Sequence, residues 1–340
     1  MNNRFASVFM NAWMQRGWLA CLLWPLSLIF GLVLKLRLYL YRSGGLQQHK
    51  LPVPVIIVGN IFIGGTGKTP LTVWLLNQLK DKGYQPGVIS RGYGRSLDAP
   101  CAVTTSSLAP EVGDEAILIA QQSHCPVVVG RNRFEAGVKL LSAFPDVNVI
   151  VSDDGLQHLA LSRDIEIVLF DSRGVGNGWL LPAGPLREPI ARKRDITVVN
   201  LSEGEQADLA LPPDLIRMKL EGTRACQLMD ASQTKVLSKL APSLNIVAAA
   251  GIGHPERFFS MLRKQGVHFT ALPLPDHYSY EINPFQDIVA DLILITEKDA
   301  VKCRQLQQMA NDSRIWVVSA EAHIDYVLVE KIVTMLKRPA

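Results

Sequence analysis

Six residues, Gly64-Gly65-Thr66-Gly67-Lys68-Thr69, stand between the apolar run Val53-Pro54-Val55-Ile56-Ile57-Val58 and the segment Pro70-Leu71-Thr72-Val73-Trp74-Leu75-Leu76. The order predicts a buried strand, a glycine-rich turn and a helix. Such a turn is a phosphate cradle: glycines let successive backbone N–H groups face one anion, Lys68 supplies a mobile charge for the outer phosphates, and the Thr69 hydroxyl can ligate Mg²⁺. Pro70 loses no needed N–H in the first helical turn. The strict pattern G-x-x-x-x-G-K-[ST] asks for glycine at position 62, where this chain has Phe62, so the loop is a variant.

A chain of 340 residues can bury the cores of two α/β domains. Its five cysteines (Cys21, Cys101, Cys125, Cys226 and Cys303) are scattered without C-x-x-C spacing, which excludes a disulfide framework and a zinc ribbon and predicts a reducing compartment. The net charge of +4 suits acidic partners, yet no basic block with interleaved aromatics points to nucleic acid. No protein partner is expected either.

Gly17 to Leu34 is an 18-residue run without a charge, preceded by Arg16 and followed by Lys35, Arg37 and Arg42. As a helix it would be roughly 27 Å long, just short of a hydrocarbon core of about 30 Å. It is long for the apolar region of a cleavable signal, and a nucleotide loop downstream needs the cytosol. Flanking cations with Trp13, Trp18 and Trp24 suit a helix in the headgroup layer of an anionic membrane. A true span and a buried core helix are the other readings. Leu32, Leu34, Leu36, Leu38 and Leu40 alternate, which by period is a strand signal.

Downstream, apolar runs alternate with helical patterns as in a parallel α/β sheet. Pro86–Ser90 leads to Arg91-Gly92-Tyr93-Gly94; Val127–Val129 to Gly130-Arg131-Asn132-Arg133; Val147–Val151 to Ser152-Asp153-Asp154-Gly155; and Ile165–Phe170 to Asp171. Open parallel sheets bind ligands at such strand C-termini. Leu215–Leu220 and Ala225–Met229 read as two antiparallel strands of a linker, after which Asn245–Gly253 begins a second, smaller α/β unit. Glu256 stands where a dinucleotide fingerprint beginning at Gly251 would need glycine.

A phosphate loop calls for a carboxylate at a neighbouring strand end to hold the Mg²⁺ shell. Asp153-Asp154-Gly155-Leu156-Gln157-His158 is favoured over Asp171 because it gathers two carboxylates, a glycine and an imidazole. Asp114 precedes the apolar stretch 116–120, so its plain role is a helix N-cap. Asp276-His277-Tyr278 sits on a proline-held loop, where a histidine beside a carboxylate suits removal of a hydroxyl proton. Gly184-Pro185-Leu186-Arg187-Glu188-Pro189 is another stiff loop, presenting one cation and one anion.

Together these residues resemble the lipid A 4′-kinase, or tetraacyldisaccharide 4′-kinase, family of Gram-negative bacteria. The marks, in order, are Gly59-Asn60, the loop through Pro70, Ser90-Arg91-Gly92-Tyr93-Gly94, Gly113-Asp114-Glu115, the Asp153 to His158 stretch, Pro182–Glu188, Asp276-His277-Tyr278 and Thr296-Glu297-Lys298-Asp299-Ala300. The resemblance implies two α/β/α domains, a P-loop domain (46–213) and a smaller C-terminal domain (244–340), joined by a two-stranded β linker (214–243) and preceded by a membrane-associating segment (1–45). It implies ATP and Mg²⁺ as cofactors, with Gly64, Gly65, Thr66, Gly67, Lys68, Thr69 and Arg187 on the nucleotide and Thr69, Asp153 or Asp154, and Glu188 on the metal. An Asp114–His277 dyad would activate the acceptor hydroxyl, while His158, Arg131 and Arg133 would face substrate. The substrate implied is acylated glucosamine disaccharide 1-phosphate, met at the cytoplasmic face of the inner membrane among anionic lipids. The rival reading is a membrane ATPase acting as an assembly switch; that class carries a lysine just before its paired glycines, where this chain has Ile63.

Overall fold

The computed structural model describes residues 12–95, 98–208 and 210–337. Its first long element is α1 (Trp18–Arg42), 25 residues in one helix that passes through Pro25. The leucine alternation at 32–40 is therefore not a strand. Of the intervening residues Val33 and Tyr39 are apolar and only Lys35 and Arg37 are charged, so the alternation is a short stretch at the end of a long apolar run, and most of the helix surface is exposed. Only Ala20 and Ser27 are buried, which sets aside the core-helix reading. By length and composition the helix is able to cross a membrane. One side docks on the loop before Arg187: the Ser27 hydroxyl donates to the Leu180 carbonyl (2.8 Å) and accepts the Ala183 N–H (2.9 Å), and ahead of the helix Trp13 Nε1 donates to the Pro182 carbonyl (2.9 Å).

The strands of the larger sheet are β1 (Val55–Gly59), β2 (Pro86–Ser90), β3 (Cys101–Ala102), β4 (Val127–Val129), β5 (Val149–Asp153), β6 (Ile165–Asp171), β7 (Ile196–Asn200), β8 (Ile216–Glu221) and β15 (Glu321–Ile324). They lie in the order β15-β8-β7-β6-β1-β5-β2-β4-β3, all parallel except the two edge strands. β1 is buried along its whole length, as a near-continuous apolar run in a doubly covered sheet should be. Its neighbours are β5 and β6, in register Val58↔Asp153 and Gly59↔Val168. From β1 the chain first builds the sheet on one side, then crosses back to build the other, so ligands belong at the C-terminal ends of β1, β5 and β6.

Helix α2 (Lys68–Asp81) starts at the glycine loop and buries Leu71, Leu75, Leu76 and Leu79 against one face of the sheet. Helix α4 (Asp114–Ser123), after the single turn α3 (Ala109–Val112), shares that layer. Helix α5 (Arg133–Ala143) covers the other face through Ala136 and Leu140, with Asn132 accepting the Phe134 N–H as its N-cap.

The smaller sheet comprises β9 (Arg224–Gln227), β10 (Thr234–Val236), β11 (Ile246–Ala250), β12 (Thr270–Pro273), β13 (Leu292–Thr296) and β14 (Ile315–Val318), in the order β10-β9-β14-β13-β11-β12. Helices α6 (Pro255–Lys264), α7 (Glu297–Cys303) and the single turn α8 (Gln307–Ala310) accompany it. The last helix, α9 (Val327–Leu336), returns to the larger domain and buries Leu328 and Ile332 beside Leu71 and Leu75.

Two expectations about the junction are corrected. The strands at 216–221 and 224–227 do not pair with each other: β8 joins the larger sheet and β9 the smaller one. Their antiparallel partners are β15 and β14, in register Glu221↔Glu321 and Ala225↔Val318. The connection is thus a two-stranded ribbon whose second strand comes about a hundred residues later, inside the span assigned above to the C-terminal domain. With β15 and α9 on the larger domain, the smaller one ends at the ribbon rather than at residue 340.

Candidate functional site

The loop after β1 is shaped by two amide side chains, Asn60, one of the marks of the resemblance, and Asn200, which no sequence pattern singles out. Asn60 Nδ2 donates to the carbonyls of Phe62 (2.6 Å) and Gly64 (3.0 Å), and its Oδ1 accepts Lys68 Nζ at 3.0 Å. Asn200, at the end of β7, donates to the Thr66 carbonyl at 3.0 Å. Gly67 is left-handed (φ 98°), and a Cβ there would lie 2.8 Å from Asn200 Nδ2, so this position admits only glycine. The missing glycine at 62 has a packing reason. Phe62 is buried in the core with Leu186, and the Arg173 guanidinium lies 4.3 Å from its ring centroid.

Lys68 Nζ is 3.5 Å from Asp154 Oδ1, and Arg187 Nη1 is 3.4 Å from Asp154 Oδ2. Burial works against the Asp154 charge, but Lys68, Arg187 and Arg133 together hold its carboxyl below the usual carboxylate range. Asp153, fully enclosed, accepts the Thr72 hydroxyl (3.4 Å); burial, then Glu115 and Asp154, push its carboxyl upward. One strand end therefore presents two carboxyl groups with opposite tendencies, the ionised one nearer the loop lysine. Apart from the Lys68 ammonium at 3.5 Å, the buried Asp154 Oδ1 has no hydrogen-bond partner among the described residues.

Glu188 stands apart from this pair. It is buried, accepts Gln157 Nε2 (2.9 Å) and pairs with Arg192, itself bound to Glu166. Among the described residues no three His, Cys, Asp or Glu side chains converge as a metal cluster. Arg192 lies between the two carboxylates, Glu188 and Glu166, and binds both. Thr69 lies on the first turn of α2 beside Lys68.

Asp171, the alternative strand-end carboxylate, is occupied too. Arg173 binds it with two nitrogens (Nε to Oδ1 at 3.0 Å, Nη2 to Oδ2 at 2.6 Å), and Arg257 of α6 reaches it from the smaller domain at 3.0 Å. Both arginines also donate to the Gly65 carbonyl, at 3.1 and 3.3 Å. A buried carboxylate holding two guanidiniums thus ties the phosphate loop to both domains, a role that no local spacing reveals.

Of the substrate candidates, Arg131 is exposed and 3.9 Å from Asp98. Arg133 is buried and donates inward to the carbonyls of Gly130 (3.1 Å) and Asp154 (3.4 Å). Its backbone N–H donates to His158 Nε2 at 3.3 Å, and burial, reinforced by Arg133 and Arg163, pulls the His158 imidazole down to about 4. Arg133 is therefore a wall of the site, and His158 a neutral group at neutral pH.

Asp114 and His277 meet across the domains, with His277 Nδ1 3.1 Å from Asp114 Oδ2. The helix cap position is Gly113 (φ 89°), which leaves Asp114 as the first helical residue; its Oδ1 accepts the Glu115 N–H (2.9 Å) while Oδ2 faces the other domain. Burial opposes its charge. The hydrogen bond from His277 and the charges of Lys298 and Lys302 outweigh that and hold the Asp114 carboxyl well below the usual range. Lys302 Nζ lies 3.1 Å from Asp114 Oδ2, and the Tyr93 ring centroid lies 5.1 Å from that of His277.

A phosphate loop at the end of a central parallel strand, an ionised carboxylate beside its lysine and a histidine–aspartate pair brought across a second domain define a P-loop phosphotransferase. The family model described as tetraacyldisaccharide-1-P 4′-kinase matches residues 19–337. The chain belongs to that family. A tetraacyldisaccharide 4′-kinase of Janthinobacterium sp. (strain Marseille) is 57% identical over 332 residues, covering 96% of this chain and 95% of that protein. One of Herminiimonas arsenicoxydans is 54% identical, covering 97% and 95%. Among solved structures, LpxK from Aquifex aeolicus in complex with ATP superposes with a TM-score of 0.76 at 29% identity, covering 94% of this chain and 99% of that one.

Proposed function

We propose that this kinase transfers the γ-phosphoryl group of ATP to the 4′-hydroxyl of an acylated glucosamine disaccharide 1-phosphate. The observation that carries this reading is the Asp114–His277 pair, because a general base assembled from two domains serves an acceptor lying between them. An assembly-switch ATPase, which moves only water, has no such need. The backbone N–H groups of residues 64–67 and the Lys68 ammonium hold the outer phosphates. Arg187, already beside Asp154, adds a second cation at the nucleotide. His277 takes the proton from the acceptor hydroxyl as that oxygen bonds to phosphorus and the bond to the ADP oxygen breaks.

Magnesium fits this site. Asp154 has a buried oxygen with no hydrogen-bond partner among the described residues apart from the Lys68 ammonium, and Thr69 offers a hydroxyl at the helix start. Mg²⁺ usually needs only one or two carboxylates besides phosphates and water, so a two-residue protein contribution suffices. When bound, the ion neutralises charge on the phosphate oxygens. Asp153 supports this set, and Glu188 joins it only by giving up Gln157 or Arg192.

Purified full-length protein given labelled ATP and the disaccharide lipid in mixed micelles is expected to label the lipid, with ATP turnover dependent on acceptor. Equal turnover without acceptor and an unlabelled lipid would replace the kinase reading by the ATPase one.

The acceptor's acyl chains stay in a bilayer, and α1 holds the enzyme against the cytoplasmic face of that membrane with its exposed apolar side in the lipid. Arg37 and Arg42 on the same helix meet anionic headgroups. Deleting residues 1–42 is expected to move most of the protein from vesicles of anionic phospholipid to the supernatant in a flotation assay. Undiminished flotation would place the anchor on another surface.

A further inference from the structure

The Thr296-Glu297-Lys298-Asp299-Ala300 motif has no part in the chemistry above, yet it delivers a cation to the base. Lys298 is on the first turn of α7, its Nζ 3.3 Å from His277 Nε2 and 3.0 Å from Glu115 Oε1. The helix is fixed at that end. Thr296 Oγ1 donates to Asp299 Oδ2 (2.6 Å) and accepts the Asp299 N–H (3.2 Å); Asp299 in turn accepts the Gly251 N–H (3.1 Å). The Gly251 carbonyl accepts the His277 N–H at 3.1 Å. Lys298 and His277 are therefore carried on one hydrogen-bonded frame, and their approach is not the chance meeting of two flexible side chains.

An ammonium only donates. Its contact with Nε2 requires that nitrogen to carry a lone pair, so the ring proton is on Nδ1 and points at Asp114. We infer that Lys298 is a positioning residue which fixes His277 in its Nδ1–H tautomer and keeps Nε2 free to accept the hydroxyl proton. The groups facing the ring are Asp114 and, through it, Lys302; Lys298 with its partner Glu115; Asp276, 3.9 Å away; and the Tyr93 ring. Lys298 sets a donor against the one ring nitrogen that has to remain bare to accept. When the acceptor hydroxyl takes its place at Nε2, the ammonium keeps Glu115.

The inference rests on His277 being the base, and three measurements separate the two claims. In the wild type, imidazole ¹⁵N shifts at neutral pH are expected to show His277 protonated at Nδ1 and bare at Nε2; the opposite tautomer would overturn the inference. Lys298→Met removes the charge at similar length. The acid limb of its kcat–pH profile is expected to move up by about one unit, the scale of a partly screened unit charge a few ångströms away, with KM for ATP unchanged. Transfer at pH values below the wild-type limb then falls by up to about tenfold and recovers above the shifted limb. Lys298→Arg keeps the wild-type limb. A Lys298→Met enzyme that is uniformly slow at all pH, or one with an unmoved limb, refutes the role. His277→Ala tests the underlying reading, since wild-type transfer in that variant removes the base itself.

Discussion

Lys68→Ala is expected to lower kcat for glycolipid phosphorylation by about 10²–10³-fold, the usual loss when one fixed donor to developing transition-state charge is removed. The ammonium is held ready by Asn60 Oδ1 and Asp154, so little rearrangement is needed when the nucleotide arrives. Its removal leaves Asp154 with Arg187, and the buried face of α2, which carries most of the local stability, is untouched. Thermal unfolding should therefore change little while single-turnover transfer collapses. A variant that folds and transfers phosphate at near-normal rate would remove the loop from the mechanism.

The Asp114 and His277 variants should lose as much, about 10²–10⁴-fold for a general base, while retaining ATP affinity, because neither residue lies in the phosphate loop. Their effects should not add. His277 needs Asp114 to orient its ring, and Asp114 has no proton-accepting role without His277, so the double alanine variant should be little worse than the poorer single one. Steady-state rates for wild type, both singles and the double variant, with ATP binding measured separately, give the coupling. Additive losses, or weakened ATP binding as the whole effect, would return Asp114 to a structural place at the start of α4.

Much of this site was legible because its chemistry is local. The glycine loop, its lysine and the paired aspartates each occupy a few consecutive residues at the end of an apolar run, and the strand register places them side by side. The partners of those groups were not legible. Asn200 acts through a single amide contact, Asp171 through arginines on two different elements, and Lys302 through a carboxylate far away in the chain. Spacing carries no trace of such pairs. The Asp114–His277 contact, 163 residues apart in sequence, was an expectation of the family resemblance; local pattern alone made Asp114 a cap. The ribbon was misread for a related reason. Two short strands separated by Gly222-Thr223 look like a hairpin, and nothing nearby records that each finds a partner after residue 314.

That ribbon also bears on biosynthesis. The larger sheet lacks its edge strand β15, and the core beside Leu71 lacks α9, until everything from β9 to β14 has been translated. The smaller domain, by contrast, is contiguous between the two ribbon strands. Domains generally fold as units during synthesis. Here the second one made is the first able to finish, and the nucleotide-binding half must wait beneath the ribosome with an open seam that the last two elements close.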